Sequence, residues 1–239
     1  MIVDGVRIED LVQTMNQRIR IDKTDYQAWQ VENVREHIRP RDWIRGSDFY
    51  RYWQCARMLH FDVHDPLPGK PYLSNGAYLS IARHKIVEDC LTRHGWECEV
   101  PVRNWFNVQG RWIKGVGRID GLSPSKIVLE IKTGKPRKCH LLQTGYYQLH
   151  VSQSPGVILL YSNESEYHKN LRPLAKQHLP GVASCVLSPF TPPLHPGFPH
   201  CLRQCIYINR CKREREPTQT DRSEWSVQYS QIRNFLRDQ

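Results

Sequence analysis

The 239-residue chain contains no apolar run approaching the ~18 residues that cross a bilayer, so no membrane-spanning segment is expected. Its first residues, Met1-Ile2-Val3-Asp4-Gly5, lack the charged-then-apolar order of a secretory leader, and an intracellular, cytoplasmic protein is expected. No internal repeat and no low-complexity block interrupt it. Acidic side chains are the scarcer charge, 24 Asp plus Glu against 34 Lys plus Arg, a formal net charge of +10. That balance suits a polyanionic partner, because each neutralised phosphate releases counterions, and it equally suits a merely basic soluble protein. With 39% hydrophobic residues a packed core is feasible. Eight cysteines without an export signal argue against a disulfide framework, so their spacing matters more than their number.

Residues 1–45 read as a helical, peripheral extension. Ile8, Leu11, Val12 and Met15 fall at helical spacing, and Arg35, Arg39, Arg41 and Arg45 form a basic run broken by Pro40. Those arginines are either solvated surface or phosphate contacts. A helix is predicted over 47–59, with Ser47 as N-cap and Asp48 in the first turn. A Pro- and Gly-rich loop follows, then a helix over 77–94. After Gly95 the pattern turns to strands. They cover 96–102 and 105–108, a turn at Gln109-Gly110, the segments 111–113 and 115–120, a Ser123-Pro124-Ser125 turn, and 126–132. A helix over 141–152 and a buried strand over 156–161 complete an α/β core around a mixed sheet. The five prolines between 187 and 200 mark a connector to a basic, cysteine-bearing tail, in which 225–236 reads as a last helix. The division is therefore 1–45, 46–186 and 187–239.

The chemistry concentrates at the end of the 126–132 strand. Residues i and i+2 of a strand share a face, so Glu130 and Lys132 emerge together. Asp120 ends the preceding strand, and the Ser-Pro-Ser turn can bring it beside Glu130. Two adjacent carboxylates repel, and a divalent cation relieves that repulsion. Such an ion activates water and steadies charge on a phosphoryl oxygen, while a lysine beside it neutralises developing charge. A structural Glu–Lys pair on an edge strand gives the same spacing. Gln143 and Tyr147 share a helix face after the strand, where they can hold nucleic acid or the lysine. Ser80, His84 and Glu88 share a face of the earlier helix, and His84 can add an imidazole to a metal that is magnesium or manganese.

The ordered set Ser80-Ile81-Ala82-Arg83-His84, Gly117-Arg118-Ile119-Asp120, Glu130-Ile131-Lys132-Thr133-Gly134 and Gln143-Thr144-Gly145-Tyr146-Tyr147 resembles the RecB-like branch of the PD-(D/E)XK nucleases. The family often has glycine where this chain has Ser80. The resemblance implies a restriction-endonuclease-like core, a mixed central sheet flanked by helices. It implies that His84, Asp120, Glu130 and the backbone carbonyl of Ile131 bind Mg2+ or Mn2+, with Lys132 as the catalytic lysine.

Cys201, Cys205 and Cys211 form a compact triplet, and Cys55 precedes the nuclease motifs. One cysteine before the core and three after it is the layout of a subset of RecB-like nucleases, including the Cas-four type CRISPR-associated exonucleases, whose cysteines bind a 4Fe–4S cluster. Tyr207 also fits that family. The triplet spacing departs from it, three then five residues rather than two then five. Four thiolates suit iron–sulfur or zinc, and zinc with His200 in place of one cysteine is the competing site. Either would tie position 55 to position 201, and closing so long a loop removes much unfolded-state entropy. Cys90 reads as core packing, and Cys98, Cys139 and Cys185 as having no metal role.

Three functions follow. The first is a metal-dependent DNA exonuclease acting on single-stranded ends, with Trp53, Trp105 and Tyr146 as stacking or core aromatics. The second is a non-catalytic DNA-binding or assembly protein of the same fold. The third is a zinc-stabilised nucleic-acid binder. The resemblance fits CRISPR adaptation, DNA repair, or phage recombination or replication.

Overall fold

Five consecutive buried residues, Val157–Tyr161, make the central strand β7, and their alternation decides the layering of the molecule. Val157, Leu159 and Tyr161 enter one hydrophobic core, whereas Ile158 and Leu160 enter another. Neighbouring Val128 and Leu129 divide between the same two cores. A run apolar at every position is what a strand covered on both faces requires. The computed structural model describes residues 1–19, 41–64 and 75–188, with Pro192, Tyr207 and Cys211. Arg35 and Arg39, most of the proline connector, Cys201, Cys205 and the expected 225–236 helix lie outside the described residues.

The described strands are β1 (Ile2–Val3), β2 (Val6–Arg7), β3 (Ile44–Arg45), β4 (Glu97–Val108), β5 (Arg111–Leu122), β6 (Val128–Lys132), β7 and β8 (Ser165–His168). The helices are α1 (Ile8–Met15), α2 (Gly46–Gln54), α3 (Ala56–His64), α4 (Asn75–Arg93), α5 (Lys138–His150) and α6 (Arg172–Leu187). The main sheet runs β3-β5-β6-β7-β8, with β4 as a further partner of β5. It is mixed: β3 pairs parallel with β5 and β6 with β7, while β4–β5, β5–β6 and β7–β8 are antiparallel. The parallel β6–β7 pair needs a crossover, which α5 supplies. Helices α2, α3, α5 and α6 contribute to the core on one face, and α1 and α4 to the core on the other. The protein is thus a mixed α/β structure with a central sheet flanked by helices.

Several local expectations shift. Residues 1–15 are not peripheral: Ile8, Leu11 and Met15 are fully buried with Val87 and Leu91 of α4. The 47–59 helix divides at Cys55, whose extended backbone (φ −170°, ψ 116°) separates α2 from α3. Ser47 is not the cap; Asp48 accepts the Arg45 backbone N–H at 2.8 Å and is gripped by Arg41. The two short strands before Gln109-Gly110 are one twelve-residue strand, β4. The turn itself stands, with φ of 52° at Gln109 and 80° at Gly110. Helix α6 and strand β8 escape sequence reading. Pro180 lies inside α6, a position that costs a free helix about 3 kcal/mol. Burial of Leu174, Ala175, Leu179, Val182, Ala183 and Val186 overrides it. Gly181 serves close packing there, since a Cβ would stand 2.2 Å from the Tyr52 hydroxyl.

Candidate active site

Five elements converge on one cavity of about 540 Å³, bordered by His84 and Glu88 from α4, Glu99 from β4, Asp120 from β5, Glu130 and Lys132 from β6, and Gln143 from α5, with Tyr147 one turn further on. The residues brought together from the sequence motifs therefore share one space. Lys132 emerges on the Glu130 side of β6, and its Nζ donates to Glu130 Oε1 at 2.5 Å and to Gln143 Oε1 at 3.1 Å. Gln143 Nε2 in turn donates to Glu130 Oε1 at 3.0 Å. The Gln143–Tyr147 contact is long, 3.5 Å. Asp120 Oδ2 accepts the Ile131 backbone N–H at 2.7 Å, which clamps β5 to the end of β6. His84 Nδ1 stands 3.9 Å from the same oxygen. The Ser80 hydroxyl shares a 2.7 Å hydrogen bond with Thr133, so serine takes a definite role at that helix position.

The glycine of the Gly-x-Ile-Asp segment has a steric reason. A Cβ on Gly117 would lie 2.6 Å from the Tyr147 ring, so the bare backbone lets α5 approach β5. Gly46 meets the same ring at the same distance.

The electrostatics are those of a buried anionic site. Burial pushes Asp120 up to about 6, opposed by the Lys132 charge and the Ile131 N–H. Glu130 rises to about 7, through burial first and the Asp120 charge second. Burial alone would lower Lys132, but attraction to Glu130 and Asp120 outweighs it and holds the ammonium above its ordinary value. Desolvation lowers His84, so its imidazole is biased to the neutral, metal-ligating form. Glu130 Oε2 is buried with no hydrogen-bond partner among the described residues. An orphaned carboxylate oxygen beside a second carboxyl leaves room for a proton or a further cation besides Lys132.

Among the described residues, however, no three His, Cys, Asp or Glu side chains stand close enough together to hold a metal ion. His84, Asp120 and Glu130 border the cavity without converging. Asp120 is turned toward the Ile131 N–H, and one oxygen of Glu130 is taken by Lys132 and Gln143.

The structure adds groups that the motifs did not include. Glu99 occupies the left-handed region (φ 55°), uncommon for a non-glycine residue, and pairs with Arg118. Glu88 is pushed up to about 7 by burial and by its hydrogen bond with Glu99. The four-residue step from His84 predicts where Glu88 points; nothing in the sequence marks Glu99. Of the aromatics considered for stacking, Tyr146 is fully buried and donates its hydroxyl to the Val116 and Ile44 carbonyls, so it is core. Trp53 packs half-buried on the core, and Trp105 is exposed.

Of the cysteines that the sequence groups as candidate ligands, Cys55 marks the break before α3 and Cys211 is buried against Phe61 and Tyr207. Met58, one turn after Cys55, packs on the same group, and the Tyr207 hydroxyl donates to Asp62 at 2.5 Å. The tail thus returns to the helix that Cys55 precedes. Cys139 and Cys185 are buried.

No family model matches the chain, and no curated protein matches it. A solved structure described as "Crystal structure of SSO0001" is similar, with a TM-score of 0.56 and 18% sequence identity over 79% of this chain and 94% of that one. At that identity the likeness shows the fold alone. No described helix is long and apolar enough to cross a membrane.

Proposed function

We propose that this chain is a metal-dependent deoxyribonuclease of the RecB-like PD-(D/E)XK type, an exonuclease acting on single-stranded DNA ends. The observation that carries the reading is the buried Glu130 Oε2 beside Asp120, without a partner among the described residues, in a cavity that also holds His84 and Lys132. One neutral imidazole, two carboxylates and the Ile131 carbonyl form an oxygen-rich donor set suited to Mg2+ or Mn2+. Such an ion supplies Lewis acidity and an activated water. Lys132 keeps its proton on Nζ and faces charge developing on a phosphoryl oxygen, while Gln143 holds the ammonium in line.

Cys55, Cys201, Cys205 and Cys211 form the ligand set for a 4Fe–4S cluster in this reading. Cys211 packs against Phe61 of α3, the helix that Cys55 precedes, and Cys201 and Cys205 lie outside the described residues. The cluster acts as a structural tie between the core and the tail. CRISPR adaptation, repair and phage recombination are all settings such an enzyme fits.

Incubating the purified chain with end-labelled single-stranded DNA and manganese tests the activity. Wild type should degrade the strand, and Asp120→Ala and Lys132→Ala should not. Equal degradation by all three, or none by any, overturns the catalytic reading. Iron and acid-labile sulfide on the anaerobically purified protein, lost in Cys211→Ala, support the cluster; stoichiometric zinc instead refutes it.

A further inference from the structure

The β4–β5 hairpin exposes two of the largest apolar side chains in the protein to solvent, Trp105 at 57% and Trp112 at 65%. Their placement follows from the register. Trp105 is opposite Lys114, Asn107 opposite Trp112, and Arg103 opposite Val116. Directly opposed residues share a face and alternate residues return to it. One face of the hairpin therefore presents Arg103, Trp105, Asn107, Trp112, Lys114 and Arg118. The other face turns toward α5, where Phe106 and Tyr146 crowd Gly115, and Tyr147 crowds Gly117.

The exposed face leads to the candidate active site. Arg118 is two residues from Asp120 and borders the same cavity. From Trp112 to Asp120 the strand covers about 26 Å at roughly 3.3 Å per residue. Beside the turn both tryptophans also border a second cavity of about 540 Å³ together with Phe106 and Val108 of the opposite face and with Leu149 and Lys176, so this end of the hairpin is reached from both faces. Of the acids on the two strands, Glu99 pairs with Arg118 and Glu97 with Lys126, while Asp120 belongs to the candidate site.

We propose that this face is a binding track for single-stranded nucleic acid, with Trp105 and Trp112 stacking on unpaired bases and Arg103 and Lys114 holding the backbone phosphates. Flat rings interleaved with cations are what an unpaired strand requires, since every base offers a π-face and every linkage a negative charge. A second copy of the chain is a poor occupant, because two such faces bring like charges together. The direction of the track toward Asp120 rests on the nuclease reading; binding along it does not.

The test uses the full chain in a chelator, so that no strand is cut, titrated with fluorescein-labelled oligothymidylate. Wild type should bind with quenching of its tryptophan emission. Trp105→Ala and Trp112→Ala should each weaken binding by between about 5-fold and about 150-fold, the range for one lost stack. Trp112→Phe should recover most of that loss, and a blunt duplex should show no comparable loss. Both rings are exposed, so thermal midpoints should match wild type. Unchanged affinity in the double alanine variant overturns the track, as does an equal loss on duplex or an absence of strand binding by wild type. So does a wild-type dimer that the double variant converts to monomer. If tryptophan-dependent binding is present but manganese yields no cleavage, the track stands and the nuclease reading falls. If wild type cleaves and the alanine variants bind as wild type does, the track alone falls.

Discussion

Replacing Glu130 with glutamine removes a costly buried charge from the site while nearly preserving its shape. The Glu130 carboxyl titrates near 7 in the folded protein, against 4.5 for an ordinary glutamate. A carboxyl with a raised folded-state value makes the folded state bind protons more readily than the unfolded state. Stability therefore falls as pH rises from about 4.5 to about 7, and the full cost is present above that window. At 1.36 kcal/mol per pH unit the gap amounts to roughly 3 kcal/mol, with no discount for solvent because the group is 2% exposed. The Lys132 attraction is already included, since it opposes the rise. Glu130→Gln resembles the protonated wild type, so the two should have similar stability at pH 4.5 and diverge above it. At pH 8 the variant should melt about 10 °C higher, given ~2–4 °C per kcal/mol for a chain of this size. The assay is thermal melting in chelator across that pH range. A gap independent of pH, or a variant less stable at pH 8, would refute the argument that burial and the Asp120 charge destabilise the ionised form. Manganese at pH 8 should then raise the wild-type midpoint, by about 2.7 kcal/mol of stability at a hundredfold excess over Kd, and leave the variant nearly unmoved.

Gly145→Ala reverses a usual rule. Alanine in a helix interior normally gains about 1 kcal/mol over glycine. Here its Cβ would stand 2.6 Å from the Leu171 carbonyl oxygen, a backbone atom, so the variant should lose about 1–3 kcal/mol, read as a lower urea midpoint at unchanged slope. Gln148→Ala should cost about 2–4 kcal/mol in the same measurement. Its buried amide accepts the Leu171 N–H at 2.7 Å and donates to the Lys169 carbonyl at 3.2 Å, so both backbone groups would lose their partner. A loss below about 1 kcal/mol would mean that water replaces the amide. Gly117→Ala should displace the Tyr147 ring and lower cleavage more than stability; equal activity would show that the ring yields freely.

The main layering and most of the side chains that line the candidate cavity were legible in the sequence. Unbroken apolar runs at 127–129 and 156–161 require strands covered on both faces, and the i, i+2 and i, i+4 steps fix which of Glu130, Lys132, Gln143, Tyr147, Ser80, His84 and Glu88 share a face. These are local relations, set by the repeat of one element, and the cavity contains all seven. What lies between elements was left to tertiary structure. Helix α6 forms despite Pro180 because burial of its apolar face outweighs poor propensity. Residues 8–15 become core because α4 and the sheet cover them, which no periodicity specifies. Tyr146 and Trp105 are both aromatics that sequence alone leaves open between core and surface. One is sealed under the sheet and the other stands on the solvent face of β4. Packing of α5 against the sheet buries the one, and the strand register exposes the other, aligning Trp105 with Lys114, and Trp112 with Asn107, on the face that leads to Asp120.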